Sequence, residues 1–359
     1  MTIFSLRPTT PNSGNQLIAT ATDALLRSVF GRHVNLVNLP ADVGGSIKGA
    51  GLTPQTVYEI NQLADGLIIG PGNLFENGAL NIDPSSLAAL TVPTMLLSVS
   101  TGRVFDRTGQ LALRTDSLSP EKIAAICRIS DPILVRDGAT RDRLAALGCD
   151  RVQVVGCPTL FLTDTPLMPS DPESALADTV LISIRHPKLM SIPYSAQGRL
   201  YRDLRGIIDC FGGREGHVRL LCHDYQDLPF AQVFSDVPAL YTEDPNQFLS
   251  WLRDCRLNIT FRLHAFLACL ALGTPSIPLS YDERSISLIE TIGLSGWPVD
   301  FLQSECLLAD LLKRSQALPR LQELTAAARP AWDGLHGLMV QGLEHFASRI
   351  EDYRSRRVF

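Results

Sequence analysis

The spacing of apolar residues along this chain switches repeatedly between a pattern typical of strands and one typical of helices. Short runs rich in β-branched residues predict strands, and segments with apolar residues every three to four positions predict helices. In the first half the predicted strands are 2–6, 33–39, 66–70, 94–98, 133–135 and 152–155. The predicted helices between them are 16–30, 54–64, 120–129 and 139–147. Such alternation is typical of βαβ units with parallel sheets.

The same alternation restarts after residue 178. Predicted strands are 180–184, 218–222, 239–242, 257–260 and 276–279, with helices at 200–210, 246–254, 263–272 and 286–292. Between the halves, 163–178 carries three prolines among polar residues and is predicted to be a linker. The sequence thus predicts an α/β protein with parallel-sheet domains at 1–165 and 178–317, and C-terminal helices at 318–359 that pack back on the first domain.

Composition narrows the classes of partner and compartment. The 359 residues carry a net charge of -5, without a basic run, so nucleic acid is a disfavoured partner. Eight cysteines are scattered singly, without the spacing of a zinc site, which suits a reducing compartment. No signal peptide or membrane span is apparent, so we expect a cytoplasmic protein, with a peripheral position at the inner membrane left open.

The most informative stretch is 258–294. Arg262 and His264 stand where a predicted strand gives way to a helix that is apolar on nearly all faces. A buried cation there needs a counter-charge, either a bound anion or a protein carboxylate. The strand that follows delivers Ser280, Asp282 and Arg284 to the same region.

Other candidate residues also follow predicted strands, where ligands bind in open parallel sheets. Two loops of the first half carry Asn12, Gly14 and Asn15, and Gly70, Gly72 and Asn73. The alternatives are a helix cap for the first loop and a structural turn for the second. The glycines do not form a G-x-G-x-x-G fingerprint, so a dinucleotide is disfavoured.

Three more strand ends present groups suited to anions or to proton transfer. Arg136 precedes Asp137 and has the alternative of pairing with it. Arg185 ends a second-half strand, where a guanidinium suits carboxylate or phosphate. His223 precedes Asp224, and the two are either a proton-transfer pair or a loop histidine beside a capping aspartate.

Taken in order, these motifs resemble those of the polysaccharide pyruvyl transferase family. The matching segments are N-S-G-N at 12–15, D-G-L-I-I-G-P-G at 65–72, V-R-D-G-A-T-R-D-R-L-A-A-L-G at 135–148, R-L-H-A at 262–265 and P-S-I-P-L-S-Y-D-E-R at 275–284. Three positions depart from the family pattern: Asn15 replaces an aspartate, Pro71 interrupts a glycine run, and Arg284 replaces a lysine.

The resemblance implies two Rossmann-like domains facing a cleft, as in GT-B glycosyltransferases. It implies transfer of the pyruvyl group of phosphoenolpyruvate onto two hydroxyls of a sugar or glycan as a ketal, with release of phosphate. The acceptor, free or lipid-linked, would face the first domain and the donor the second. No cofactor or metal is expected. The alternatives are a GT-B glycosyltransferase that uses a nucleotide-sugar, and a non-catalytic sugar- or anion-binding relative.

Roles follow from this implied chemistry as hypotheses. The catalytic candidates are His264, as general acid or phosphate ligand, Arg262, and His223 as the competing acid. The donor-binding candidates are Arg185, Arg136, Ser280, Asp282 and Arg284. The acceptor-binding candidates are Asn12, Gly14, Asn15, Gly70, Gly72 and Asn73.

Overall fold

The computed structural model describes residues 1–8, 12–41, 50–164, 176–213 and 216–357. Most of the predicted linker therefore lies outside the described residues. Along the chain the strands are β1 (Thr2–Arg7), β2 (Asn35–Pro40), β3 (Gly66–Ile69), β4 (Thr94–Val99), β5 (Val104–Phe105), β6 (Leu111–Ala112), β7 (Ser130–Val135), β8 (Val152–Val154), β9 (Val180–Ser183), β10 (Val218–Leu221), β11 (Ala239–Leu240), β12 (Leu257–Thr260), β13 (Ser276–Ser280) and β14 (Val299–Asp300).

Helices connect these strands. They are α1 (Ser13–Phe30), α2 (Pro54–Leu63), α3 (Pro84–Ala88), α4 (Pro120–Ile129), α5 (Gly138–Ala146), α6 (Tyr194–Cys210), α7 (Leu228–Ala231), α8 (Pro245–Asp254), α9 (Leu263–Leu272), α10 (Glu283–Thr291), α11 (Leu307–Gln316) and α12 (Leu318–Arg357). Within the described ranges, no helix is long and apolar enough to cross a membrane.

The strands form two parallel sheets of six. Their orders are β2-β1-β3-β4-β7-β8 and β11-β10-β9-β12-β13-β14, and every ladder within them is parallel. A short antiparallel hairpin, β5-β6, stands apart. This architecture confirms the predicted α/β class. The hairpin and β14, each built from two-residue strands, were not predicted.

Helix boundaries are set by polar side chains at their first turns. Asn12 caps α1 by accepting a hydrogen bond from the Gly14 N–H at 2.9 Å, so α1 begins earlier than the apolar pattern predicts. Asp282 does the same for α10, accepting from the Ser285 N–H at 2.9 Å. Both caps lie at the carboxyl ends of strands, where the two sheets face each other.

Two helices tie the molecule together. Helix α9 is buried on nearly all faces, as its composition predicts, and packs among apolar residues of the second sheet. Helix α12 buries Trp332 in the core of the second sheet, and Met339, Phe346 and Ile350 in the core of the first. The domain boundaries at 165, 178 and 318 stay a prediction.

The two halves also bond directly across the cleft. On one side the Ser13 N–H donates to the His223 carbonyl at 2.8 Å. On another, the Gly138 N–H donates to Thr291 Oγ1 at 3.1 Å, and Arg103 forms an ion pair with Glu283. The strand ends of both sheets are therefore held around a shared space.

Candidate active site

A cavity of about 350 Å³ lies between the carboxyl ends of the two sheets. Its volume falls within the range of small-molecule sites. All of the predicted site residues except Gly70 line it. Gly70 has φ of 121°, and a Cβ there would lie 2.2 Å from the Leu97 carbonyl oxygen, so this glycine permits close approach of two strand ends instead.

The wall from the first half is almost uncharged. Four asparagines contribute to it, together with Gly14, Gly72 and a single cation, Arg136; the asparagines are Asn12, Asn15, Asn73 and Asn77. Gly14 lies directly against His264, since a Cβ at residue 14 would be 2.9 Å from His264 Nδ1. Helix α1 thus begins in contact with the residue predicted to be catalytic.

The wall from the second half carries most of the ionisable groups. Arg262 is buried, donates from Nε to the Ile184 carbonyl at 2.9 Å, and forms an ion pair with Asp227. The same carboxylate accepts from the backbone N–H groups of His186 at 2.9 Å and His223 at 3.2 Å. Asp227 therefore joins the ends of three strands, β9, β10 and β12, and holds Arg262 at the cavity.

Arg284 is held by two carboxylates. Its Nη1 donates to Glu76 Oε2 at 2.7 Å and its Nη2 to Asp282 Oδ2 at 2.5 Å. Glu76 belongs to the first half and is fully buried, so this arrangement links the halves beside the cavity. Because its charge is already balanced, Arg284 is better placed to brace the cleft than to bind a donor, and its predicted donor role stays a prediction.

Several buried donor and acceptor atoms at the cavity have no hydrogen-bond partner among the described residues. They are Arg136 Nη2, Arg185 Nε, His223 Nε2, His264 Nε2 and Ser280 Oγ, five of the twelve such side-chain atoms found. Arg185 also forms no ion pair with a described residue. Unpartnered buried polar atoms are costly, so their convergence on one cavity indicates a polar ligand.

Helix ends add to the positive field of this cavity. The first residues of α1, α9 and α10 line it, and no described side chain caps α9. Unbonded N–H groups at a helix start favour anions. Helix α9 therefore directs its positive end, and His264 in its first turn, at the cavity.

Both imidazoles are kept neutral in the free protein. Burial, and then the charges of Arg136 and Arg262, lower the pKa of His264 to about 3. Burial, followed by the charge of Arg262 and smaller effects of His264 and Arg185, lowers the pKa of His223 well below its ordinary value. An anion bound among these groups would raise both pKa values.

Some residues at the site were not predicted. Asp227 and Glu76 lie 35 and 208 residues from the arginines they bind, and no sequence signal marks either pairing. Asn77 and Gln226 also line the cavity. In the described part of the chain, no group of three or more His, Cys, Asp or Glu residues is arranged to hold a metal ion.

Comparison with known proteins places this site in context. A profile of the family described as polysaccharide pyruvyl transferase matches residues 12–283, about three-quarters of the chain. The match includes every segment from which the cavity's predicted residues come, except Arg284. A search of curated protein sequences found no significant match.

Solved structures share the fold. A UDP-GlcNAc 2-epimerase of Methanocaldococcus jannaschii, in complex with UDP-GlcNAc and UDP, aligns with a TM-score of 0.58 at 12% identity, over 89% of this chain and 92% of that one. MnaA of S. aureus with UDP aligns with a TM-score of 0.62 at 12% identity, over 99% of this chain and 97% of that one. A UDP-GlcNAc 2-epimerase of Neisseria meningitidis aligns with a TM-score of 0.60 at 10% identity, over 96% of this chain and 99% of that one. At such identities the likeness is one of fold, and it confirms the predicted GT-B-like arrangement.

Proposed function

We propose, from the premise that the chain belongs to the polysaccharide pyruvyl transferase family, that it transfers the pyruvyl group of phosphoenolpyruvate onto two hydroxyls of a sugar. The observation that carries the proposal is the set of unpartnered donors at the cavity. Arg185, Arg136, His223 and His264 each direct at least one buried, unbonded nitrogen to the same region. A small donor with a carboxylate and a phosphate supplies acceptors for all of them.

The donor would lie against the second half. Arg185 has no carboxylate partner among the described residues, so its charge is available to the donor, whereas Arg262 is shared with Asp227. The positive end of α9 adds N–H groups beside His264. We therefore expect Arg185 to bind the donor with its full charge, and Arg262 to bind it from the position in which Asp227 holds its guanidinium.

Donor binding would also prepare the acid. His264 is neutral in the free site because burial and two arginines oppose its protonation. A multiply negative donor reverses that field, so the imidazole takes up a proton as the donor binds. The protonated ring then protonates the methylene carbon of the donor, which makes the adjacent carbon electrophilic. His223 remains the competing acid.

The acceptor would lie against the first half. Asn12 lines the cavity, and because its amide oxygen already accepts from the Gly14 N–H, its amide nitrogen would be the group that bonds a sugar. Asn73 is positioned by a hydrogen bond between its amide oxygen and Ser100 Oγ. Amide groups without charge suit the hydroxyls of a neutral sugar. The replacement of the family's aspartate by Asn15 fits a wall whose described lining residues include no carboxylate.

Release of inorganic phosphate from phosphoenolpyruvate, measured with a panel of sugar acceptors, tests the proposal. We expect release that depends on an acceptor and that is lost in His264→Ala. Calorimetry with phosphoenolpyruvate and with UDP- and GDP-sugars separates it from the alternatives. Binding of a nucleotide-sugar without binding of phosphoenolpyruvate would favour a glycosyltransferase, and tight donor binding without turnover would favour a binding protein.

A further inference from the structure

The carboxylates around the cavity differ in whether an arginine forms an ion pair with them. Asp282 is bound by Arg284, and behind the walls Asp227 is bound by Arg262 and Glu76 by Arg284. Asp224 lines the cavity and, among the described residues, forms no ion pair. Its charge is therefore not neutralised by an arginine.

Asp224 also has an oxygen to spare. Its Oδ1 accepts the Gln226 N–H at 3.0 Å, which caps the short 3₁₀ helix Tyr225–Asp227. No described residue donates to its second oxygen, Oδ2. The residue is 8% exposed, and that exposure is at the cavity. The carboxylate thus combines a fixed orientation with a free acceptor atom.

The backbone places Asp224 where the two walls meet. Residues Asn12 and Asp224 form an antiparallel β-bridge between the halves, and the neighbouring Ser13 N–H donates to the His223 carbonyl at 2.8 Å. Asp224 therefore stands beside the asparagine wall, while the chain positions it in the half that carries the arginines. A sugar bound at the first wall and a donor bound at the second would therefore meet near this carboxylate.

We propose that Asp224 is the catalytic base of this site, which accepts the proton of the attacking acceptor hydroxyl. The assignment rests on the proposed function and supplies the carboxylate that Asn15 no longer offers. The first wall, whose one charged side chain is Arg136, has no base of its own among the described residues. A carboxylate across the β-bridge can take that role without entering the sugar-binding surface.

The step balances as follows. The hydroxyl oxygen forms a bond to the central carbon of the donor, its proton passes to Asp224, and the methylene carbon gains a proton from the imidazole. The bond from the central carbon to the phosphate oxygen then breaks, and its electron pair leaves with phosphate. The second hydroxyl closes the ketal. Of the two hydroxyl protons, one replaces the proton that the methylene carbon consumed and the other leaves with phosphate.

The capping role of Asp224 can be separated from the chemical one. Asparagine and serine cap as well as aspartate does, but neither is a base. We expect Asp224→Asn and Asp224→Ser to lower kcat by about a hundredfold or more, with the dissociation constant for phosphoenolpyruvate within about twofold of wild type and an unchanged Tm. Asp244→Asn is the matched control, because Asp244 is exposed and caps α8 by accepting the Asn246 N–H at 2.9 Å.

A rescue experiment gives a positive signal. In Asp224→Gly the missing carboxylate leaves space, and added formate should restore turnover by about tenfold or more, without activating wild type or His264→Ala. Turnover of Asp224→Asn within about threefold of wild type would overturn the assignment. So would a parallel loss of Tm and donor binding, which would make Asp224 structural. Absence of phosphate release by the wild-type protein would instead overturn the proposed function, and this assignment with it.

Discussion

Gly14→Ala tests whether the start of α1 positions His264. The added methyl group would lie 2.9 Å from His264 Nδ1 and 3.0 Å from Asn12 Oδ1. Carbon and nitrogen atoms prefer separations of about 3.5 Å or more, so roughly half an ångström must be gained by displacement. Helix α9 is enclosed by the core and yields little, so the imidazole is the group that moves.

The expected effect is a loss of kcat of about tenfold. A misplacement of about 1 Å at a reacting group costs on the order of a hundredfold, and the displacement here is about half of that. Stability should change less. The overpacking cost of about 1–3 kcal/mol is partly offset, because alanine is favoured over glycine in a helix by up to about 1 kcal/mol.

Steady-state phosphate release and urea unfolding measure the two effects. Gly198→Ala is the control, since Gly198 lies in α6 with no atom within 4 Å of an added Cβ, and it should leave kcat unchanged. In a His264→Ala background, Gly14→Ala should cause no further loss. Full turnover of Gly14→Ala, or an additive loss in the double variant, would refute the proposed contact.

Three further predictions concern charge. Arg185→Met should weaken phosphoenolpyruvate binding by about 10- to 100-fold in calorimetry, yet leave the free energy of unfolding within about 0.5 kcal/mol, because Arg185 has no described protein partner to lose; a loss of stability equal to the loss of binding would contradict this. Arg262→Ala should lower the free energy of unfolding by about 3–5 kcal/mol in urea titrations, since Asp227 stays buried without its counter-charge; wild-type stability would show that the ion pair contributes little. Binding of phosphoenolpyruvate should take up a proton, because the pKa of His264 is about 3 in the free site and rises beside an anion. Affinity should then fall as the pH rises through the pKa of the bound state. Calorimetry in two buffers with different ionisation enthalpies measures this uptake, and an uptake that persists in His264→Asn would assign it elsewhere.

Much of the fold follows from local patterns in the sequence. The alternation of strands and helices, and helix boundaries such as those of α4 and α9, are encoded in neighbouring residues and were predicted. The cavity was also predictable, because ligand-binding residues follow strands in parallel sheets and the strand ends of both halves face each other.

The partners of the charged residues were not predictable. Whether Arg262 meets an anion or a carboxylate depends on Asp227, whose capping position gives no hint of a contact 35 residues away. Likewise Gly70 looks like a cavity glycine in the sequence, but its neighbour is the Leu97 carbonyl of an adjacent strand. Such outcomes depend on how closely neighbouring strand ends approach each other, which a pattern of residue types does not encode.

The position of α12 bears on how the protein is made. Ile3 and Leu134 pack with Met339, Phe346 and Ile350, so the core of the first sheet combines its own strands with a helix that lies far after them in the chain. During synthesis, the strands of the first sheet emerge from the ribosome long before α12 does. The nascent first half therefore exposes an uncovered apolar surface until α12 has been synthesised, and such a surface favours aggregation in that interval.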